Sequence, residues 1–147
     1  MRFLTSQQRR LRDCFTMIPM TNFTTITTDF DLYREVHKGI RHALFHTTMR
    51  AGRVDPIDEA EVTALLATHE TLIELMTNHH HHEDDRSQPF IERHGGTLAA
   101  TVLNDHHRIE GQMGELDLVS LTSLYLTHQA LEEEQVMPAL RAALPVD

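Results

Sequence analysis

The chain has 147 residues, of which 40% are apolar, enough for one buried core and too few for several domains of ordinary size. Its 13 basic and 22 acidic residues give a net charge of -9, which argues against nucleic acid or an anionic membrane as a partner. The single cysteine, Cys14, excludes an internal disulfide and a thiolate cage for zinc or an iron–sulfur cluster. Because no apolar run approaches the roughly 20 residues that span a bilayer, we predict no transmembrane helix and a cytoplasmic protein.

Residues 1–27 differ from the rest of the chain. Arginines are frequent among them, and they lack the continuous apolar stretch of a secretory signal. We interpret them as a basic tail, either disordered or the artefact of a start site upstream of Met17 or Met20. Residues 28–147 are rich in Leu, Ala, Met, Glu and Gln and lack Trp, a balance that favours helices. They form the one predicted domain.

The first half of this domain contains two predicted helices. Asp29 is a suitable N-cap for a helix with apolar residues on one face, and Gly52 is a suitable stop. Asp55-Pro56 offers a second cap followed by proline at the first helical position. The apolar stripe that follows runs towards Pro89.

The second half repeats this organisation. Gly95-Gly96 interrupts the chain, and a third apolar stripe runs from there to Gly114. A fourth begins at Leu118 and continues to the C-terminus, with a bend expected at Pro138. Four long helices with short connections predict an all-α, up-down-up-down four-helix bundle.

The second and fourth predicted helices share a motif. His79 is followed by Glu83 and His128 by Glu132, and in both cases a proline comes six residues after the glutamate. Four residues make about one helical turn, so each pair stacks on one face, in line with the apolar stripe of its helix. Charged groups that point into a core need a compensating cation. The motif therefore predicts two pairs of inward-facing metal ligands.

The first and third predicted helices each add one histidine on the apolar face, His37 and His106, both followed by isoleucine three residues later. His106 and His128 are equally far from the turn at Asp117, which puts them at equal depth. His37 and His79 differ in depth by roughly 12 Å at helical rise, and a tilt or a non-helical loop must absorb this. Because His42 and His46 increase the difference, His37 is preferred.

Several alternatives stay open at this point. A helix turns about 100° per residue, so at most two histidines of the run 79–82 face one interior site, and His82 is the alternative to His79. His107 is the alternative to His106. Glu110, one turn after His106, is a candidate seventh ligand. Beyond Glu83 and Glu132 themselves, the acidic runs that follow are predicted to be solvated.

This arrangement resembles the hemerythrin-like, or HHE cation-binding, family. The stretches VHKGIRHALF, HHHHEDD and YLTHQALEEEQVMPAL look like bacterial members, and the resemblance covers residues 29–144. It implies a hemerythrin-like bundle with two iron ions, bridged by oxygen species and by both glutamates. The ligands implied are His37, His79, Glu83, His106, His128 and Glu132. Oxygen carriers of the family have a second histidine where this chain has Glu110, and an anionic ligand there favours the oxidised metal over reversible oxygen carriage.

Nitrogen and carboxylate ligands without thiolate suit iron, with manganese or zinc as alternatives. We expect a non-heme di-iron protein that binds or reacts with dioxygen, peroxide or nitric oxide, in oxygen sensing or oxidative-stress defence. The alternatives are a catalase-like, peroxide-decomposing di-iron enzyme and an iron- or metal-buffering protein.

Overall fold

A computed structural model describes residues 32–143, which are helical apart from short connections and include no strand. The helices are α1 Leu32–Ala51, α2 Glu59–His82, α3 Gln88–His94, α4 Leu98–Met113, α5 Leu118–Leu131 and α6 Met137–Ala143. A π-helical turn, Glu83–Ser87, joins α2 to α3, and another, Glu132–Val136, joins α5 to α6. The described chain therefore forms four long helical segments, and the all-α prediction is confirmed. The predicted tail and the cap Asp29 lie outside the described residues.

The start of α2 corrects one sequence prediction. The side chain of Asp58 accepts hydrogen bonds from the backbone N–H groups of Ala60 and Glu61, so Asp58 is the N-cap. Asp55 instead accepts a hydrogen bond from the N–H of Ile57 within the preceding turn. The helix begins three residues later than Asp55-Pro56 indicated, because a second aspartate caps it.

The two π turns lie directly before the two prolines of the repeated motif. Proline has no N–H to donate, and its ring clashes with the carbonyl four residues earlier in a regular α-helix. In the π turns the N–H of Gln88 bonds to the carbonyl of Glu83, and that of Met137 to Glu132, five residues back in each case. The wider turn lets each long segment continue past its proline instead of ending there.

The four long segments pack around a common interior. Helix α1 contacts α2 and α5, α4 contacts α2, α3 and α5, and α3 contacts α6. This is the packing of a helical bundle. Within residues 32–143, no helix combines the length and apolar character needed to cross a bilayer.

Two clusters of buried apolar side chains lie on either side of a polar layer. The larger contains Ile40, Leu44, Leu72, Met76, Ile109, Met113, Leu118, Leu121 and Tyr125. The smaller contains Ile91, Ala99, Val102, Val136 and Leu140. Along α4, for example, His106 lies between Val102 of the smaller cluster and Ile109 of the larger. Hydrocarbon therefore flanks the polar layer along the bundle.

Candidate metal centre

Buried histidines and glutamates make up the polar layer. Each long segment contributes one predicted histidine, and the two π turns begin at the two predicted glutamates. Burial ranges from fully enclosed to 4% exposed. The residues are His37, His79, Glu83, His106, His128 and Glu132. The structure thus brings six of the seven predicted ligands into one cluster.

Glu83 contacts histidines from three segments. Its Oε1 lies 3.2 Å from Nε2 of His79 and 3.8 Å from Nε2 of His37. Its Oε2 lies 3.4 Å from Nε2 of His106. One carboxylate oxygen therefore faces the histidines of α1 and α2, and the other faces α4.

Glu132 occupies the corresponding place on the opposite side. Its Oε2 lies 3.3 Å from Nε2 of His37 and 3.3 Å from Nε2 of His128. Its Oε1 accepts a 2.9 Å hydrogen bond from the hydroxyl of Tyr33. Nε2 of His106 and Nε2 of His128 lie 3.2 Å apart. Both glutamates thus reach histidines of both halves of the chain.

These contacts define two groups of donors that share the two carboxylates. One group contains His37 and His79, and the other contains His106 and His128. Each also includes Glu83 and Glu132, and within each group one donor atom per residue lies within 4.8 Å of all the others. The arrangement offers two neighbouring cation positions with two common carboxylate ligands.

Donor atoms of this cluster lack hydrogen-bond partners within the described protein. They include Nε2 of His37 and His79, both carboxylate oxygens of Glu83, and Oε2 of Glu132. Buried polar atoms without partners are destabilising, and nearly all such atoms in native proteins are satisfied. Metal ions at the two positions would satisfy these atoms together, so the residues fit a metal centre.

Two of the histidines carry charge in the metal-free protein. Burial lowers the pKa of His37, but the nearby carboxylates of Glu132 and Glu83 outweigh this effect and raise that pKa to about 9. Burial likewise lowers the pKa of His106, but Glu83 and Asp84 raise it to about 9. Protons on these two imidazoles therefore supply positive charge that a bound cation would replace.

The other two histidines are neutral. Burial lowers the pKa of His79 to about 4 and that of His128 to about 3. Neutral imidazoles bind a metal without first losing a proton. The four histidines therefore divide into one protonated and one neutral residue in each donor group.

The two carboxylates titrate differently. Burial opposes ionisation of Glu83, yet the close imidazoles of His79, His106 and His37 hold its pKa well below the usual value. Burial and the neighbouring charge of Glu83 raise the pKa of Glu132 to about 7. The two carboxylates oppose each other's ionisation, and a metal cation between them would favour the ionised form of both.

The residue after each glutamate orients a histidine from another segment. Oδ1 of Asp84 lies 2.8 Å from Nδ1 of His106, and Oε1 of Glu133 lies 3.1 Å from Nδ1 of His37. Carboxylates in this role fix the ring of a metal-binding histidine and raise its basicity. These acidic residues were predicted to be mainly solvated, but Asp84 and Glu133 are only partly exposed and each contacts a buried histidine. Their common place, directly after the motif glutamate, was the signal in the sequence.

Glu110, the seventh predicted ligand, is exposed on α4 and lies outside both donor groups. Ile109 and Met113 occupy the buried face of this part of the helix. Glu110 follows His106 by four residues as Arg41 follows His37. Arg41 does not belong to the buried cluster but forms an ion pair with Glu133, the residue that orients His37. The position that Glu110 and Arg41 share in the repeat therefore lies outside the donor groups.

The alternative histidines lie at the surface. His82 and His107 are exposed, whereas His79 and His106 belong to the buried cluster. His42 and His46 are also exposed.

One buried histidine was not among the predicted ligands. His80 is completely enclosed, and its ring stacks on that of His106 with centroids 4.4 Å apart. Burial, followed by the charge of His106, lowers its pKa to about 2. The motif that His79 shares with His128 does not include His80. The expectation that at most two histidines of the run 79–82 face one interior site left room for a second buried histidine beside His79 but did not select His80.

No protein-family model, no curated protein and no solved structure matches this chain. The resemblance to hemerythrin-like proteins therefore rests on the motifs themselves.

Proposed function

We propose that the protein is a hemerythrin-like, up-down-up-down four-helix bundle that holds a non-heme di-iron centre. One iron would be bound by His37 and His79 and the other by His106 and His128. Glu83 and Glu132 would bind both ions. The observation that carries this proposal is the sharing of these two buried glutamates between two complete donor groups.

The donor set favours iron over softer metals. Imidazole and carboxylate without thiolate suit iron, manganese and zinc, and the family resemblance selects iron among them. Bound iron would supply redox chemistry and affinity for dioxygen, peroxide or nitric oxide. We propose that the protein uses this affinity in oxygen sensing or oxidative-stress defence.

The surrounding residues hold the donors and keep bulk water away. The apolar clusters flank the layer, and Asp84 and Glu133 fix the rings of two ligands. Tyr33 donates to Oε1 of Glu132, which leaves Oε2 facing the histidines. Burial and the charges of both glutamates raise the pKa of Tyr33 well above its ordinary value, so the phenol stays a donor.

The test is the metal content and ultraviolet-visible spectrum of protein made in iron-supplied cells. Spectra are taken as isolated, after reduction and exposure to air, and after peroxide. We expect two iron ions per chain with oxo-bridge charge-transfer bands. Both should be lost in His79→Ala and His128→Ala but kept in His81→Ala, which changes an exposed neighbour. Folded, colourless and iron-free protein would contradict the proposal.

The same samples separate the possible functions. A stable, reversible oxygen adduct indicates a binding protein. Release of one dioxygen from two peroxides over many turnovers, with two waters formed, indicates an enzyme. Tight zinc binding with neither property indicates metal buffering.

A further inference from the structure

His80 has no hydrogen-bond partner for either ring nitrogen among the described residues, although it is fully buried. Its ring stacks on His106 with an interplanar angle of 12° and lies 5.7 Å from the ring of Tyr125. A nitrogen of His80 falls within 4.8 Å of donor nitrogens on His106 and His128. Three imidazoles therefore have ring nitrogens close to one another, and those of His80 have no hydrogen-bond partner among the described residues.

The equivalent residue in the other half, Gln129, shows that a buried polar side chain at this position can find hydrogen-bond partners within the protein. His80 follows the motif histidine His79 as Gln129 follows His128. Gln129 is equally buried, but its Oε1 accepts a hydrogen bond from Arg41 at 3.1 Å and its Nε2 donates to the carbonyl of His37 at 3.5 Å. Both polar side-chain atoms of Gln129 thus have a hydrogen-bond partner, whereas neither ring nitrogen of His80 has one among the described residues.

We propose that His80 is a further metal ligand, binding the ion held by His106 and His128. This inference rests on the proposed two-metal centre and adds that its two metal positions differ in their ligands. One ion would have three nitrogen ligands and the other two, while both share Glu83 and Glu132. The three-imidazole position would bind its ion more tightly and fill first.

The competing explanation is that His80 is only a stacked ring in the core. The substitution His80→Phe separates the two, because phenylalanine keeps an aromatic ring and removes both nitrogens. If His80 only packs, the metal-bound protein tolerates the change. Under either explanation the metal-free variant should be at least as thermally stable as wild type, since two unsatisfied atoms are gone. Metal binding weakens only if His80 is a ligand.

The experiment titrates metal-free protein with Zn²⁺ alone in a calorimeter, for wild type, His80→Phe and His81→Phe. His81 is the exposed neighbour and serves as the matched control. We expect two unequal sites in wild type and in His81→Phe. In His80→Phe the tighter site should weaken at least about ten-fold, because even outer partners of metal ligands contribute 10- to 100-fold. Unchanged binding of both ions in folded His80→Phe would overturn the inference while leaving the two-metal centre intact.

A second measurement does not depend on the variant folding. In wild-type protein labelled with ¹⁵N-histidine and loaded with two Zn²⁺ per chain, one ring nitrogen of His80 should show the chemical shift of a metal-bound imidazole. Shifts of an unbound ring would overturn the inference. Failure of wild type itself to bind two ions would overturn both this inference and the two-metal centre.

Discussion

The two halves of the bundle, residues 32–94 and 98–143, repeat one plan around the candidate centre. In each, a first helix contributes one histidine, and a second contributes a His-x-x-x-Glu motif that ends at a π turn before a proline. In each, the acidic residue after the glutamate hydrogen-bonds to the histidine on the first helix of the opposite half. The repeat therefore specifies the buried histidines and glutamates that the two halves have in common.

The halves differ at residues around these ligands. His80 corresponds to Gln129, Arg41 to Glu110, and Tyr33 to Val102. The first half supplies an extra imidazole, an arginine that pairs with Glu133 and a phenol that donates a hydrogen bond to Glu132. The second half supplies an amide, an exposed acid and an apolar residue at the corresponding positions. Departures from the repeat thus make the surroundings of the two similar donor groups chemically unequal.

The bridging role is tested by Glu83→Gln and Glu132→Gln, which keep size and remove charge. Because each glutamate belongs to both donor groups, either change should weaken the binding of both ions. We expect the affinity for Zn²⁺ to fall by more than about 100-fold, which exceeds the loss typical of residues that only orient a metal ligand. Asp85→Asn, at an exposed site two residues after Glu83, is the control. If either variant bound two ions with wild-type affinity, the shared-carboxylate arrangement would be wrong.

The pH dependence of metal binding tests the protonated histidine in each half. The raised pKa values of His37 and His106, about 9, mean that both are protonated at pH 7, so metal must displace two protons. Because each donor group contains one of these histidines, the apparent affinity for each Zn²⁺ should rise about ten-fold per pH unit between pH 7 and 8, or about 100-fold for the two ions together, and level off near pH 9. Without metal, the stability that these charged histidines provide is complete below about pH 6.5 and disappears as pH rises through 9.

Thermal unfolding from pH 7 to 9, with Zn²⁺ and with a chelator, checks this prediction. The metal-free protein should lose stability over this range while the stabilisation by Zn²⁺ grows. A metal-induced shift in Tm that is the same at both ends would show that these histidines are neutral without metal.

The outer carboxylates should have a smaller and similar effect in both halves. Asp84→Asn and Glu133→Gln remove the acids that orient His106 and His37, and we expect each to weaken Zn²⁺ binding by about 10- to 100-fold. Glu134→Gln, an exposed neighbour, should change nothing. Zinc titration of the three variants measures the effect. Equal affinities in all three would make the outer acids mere surface charges.

The smallest effects belong to the caps that begin the second long segment of each half. Asp58→Ala should lower the free energy of unfolding by about 1 kcal/mol, the usual contribution of an N-cap, without changing metal binding. Asp55→Ala should lower it less, because the side chain of Asp55 accepts only the hydrogen bond from Ile57 in the preceding turn, and its bond to Glu61 comes from the backbone N–H, which alanine keeps. Urea denaturation checks the order, and a larger loss for Asp55→Ala would contradict the helix start at Glu59.

Asp117 is the matching cap of α5. Hydrogen bonds from Ser120 lower its pKa, so its contribution is present above the ordinary aspartate pKa and is lost as pH falls through the lowered value. Asp117→Ala should therefore destabilise the protein at neutral pH and lose its effect in acid.

Apolar spacing was enough to predict four long helical segments and their breaks at Gly52, Gly95-Gly96 and Gly114. The continuation past Pro89 was not predicted, because proline ordinarily ends a helix and a π turn has no periodicity of its own. The repeated spacing of proline after glutamate was the sign that both sites needed the same irregular turn.

Six residues of the buried cluster could be predicted because the spacing of four residues recurs in two helices and puts both members on one face. Glu110 has the same spacing from His106, but the face is set by Ile109 and Met113, and burial is a tertiary property. His80 could not be selected from a run of four histidines, since its burial depends on packing against α4 and α5.

The central claim is that two metal ions lie in the polar layer and share Glu83 and Glu132. The most direct test is a crystal structure of iron-loaded protein with an anomalous difference map at the iron edge. The account predicts two interior peaks, one among His37 and His79 and the other among His80, His106 and His128. A folded protein with no interior peak, or with iron only at the exposed histidines 81 and 82, would contradict it.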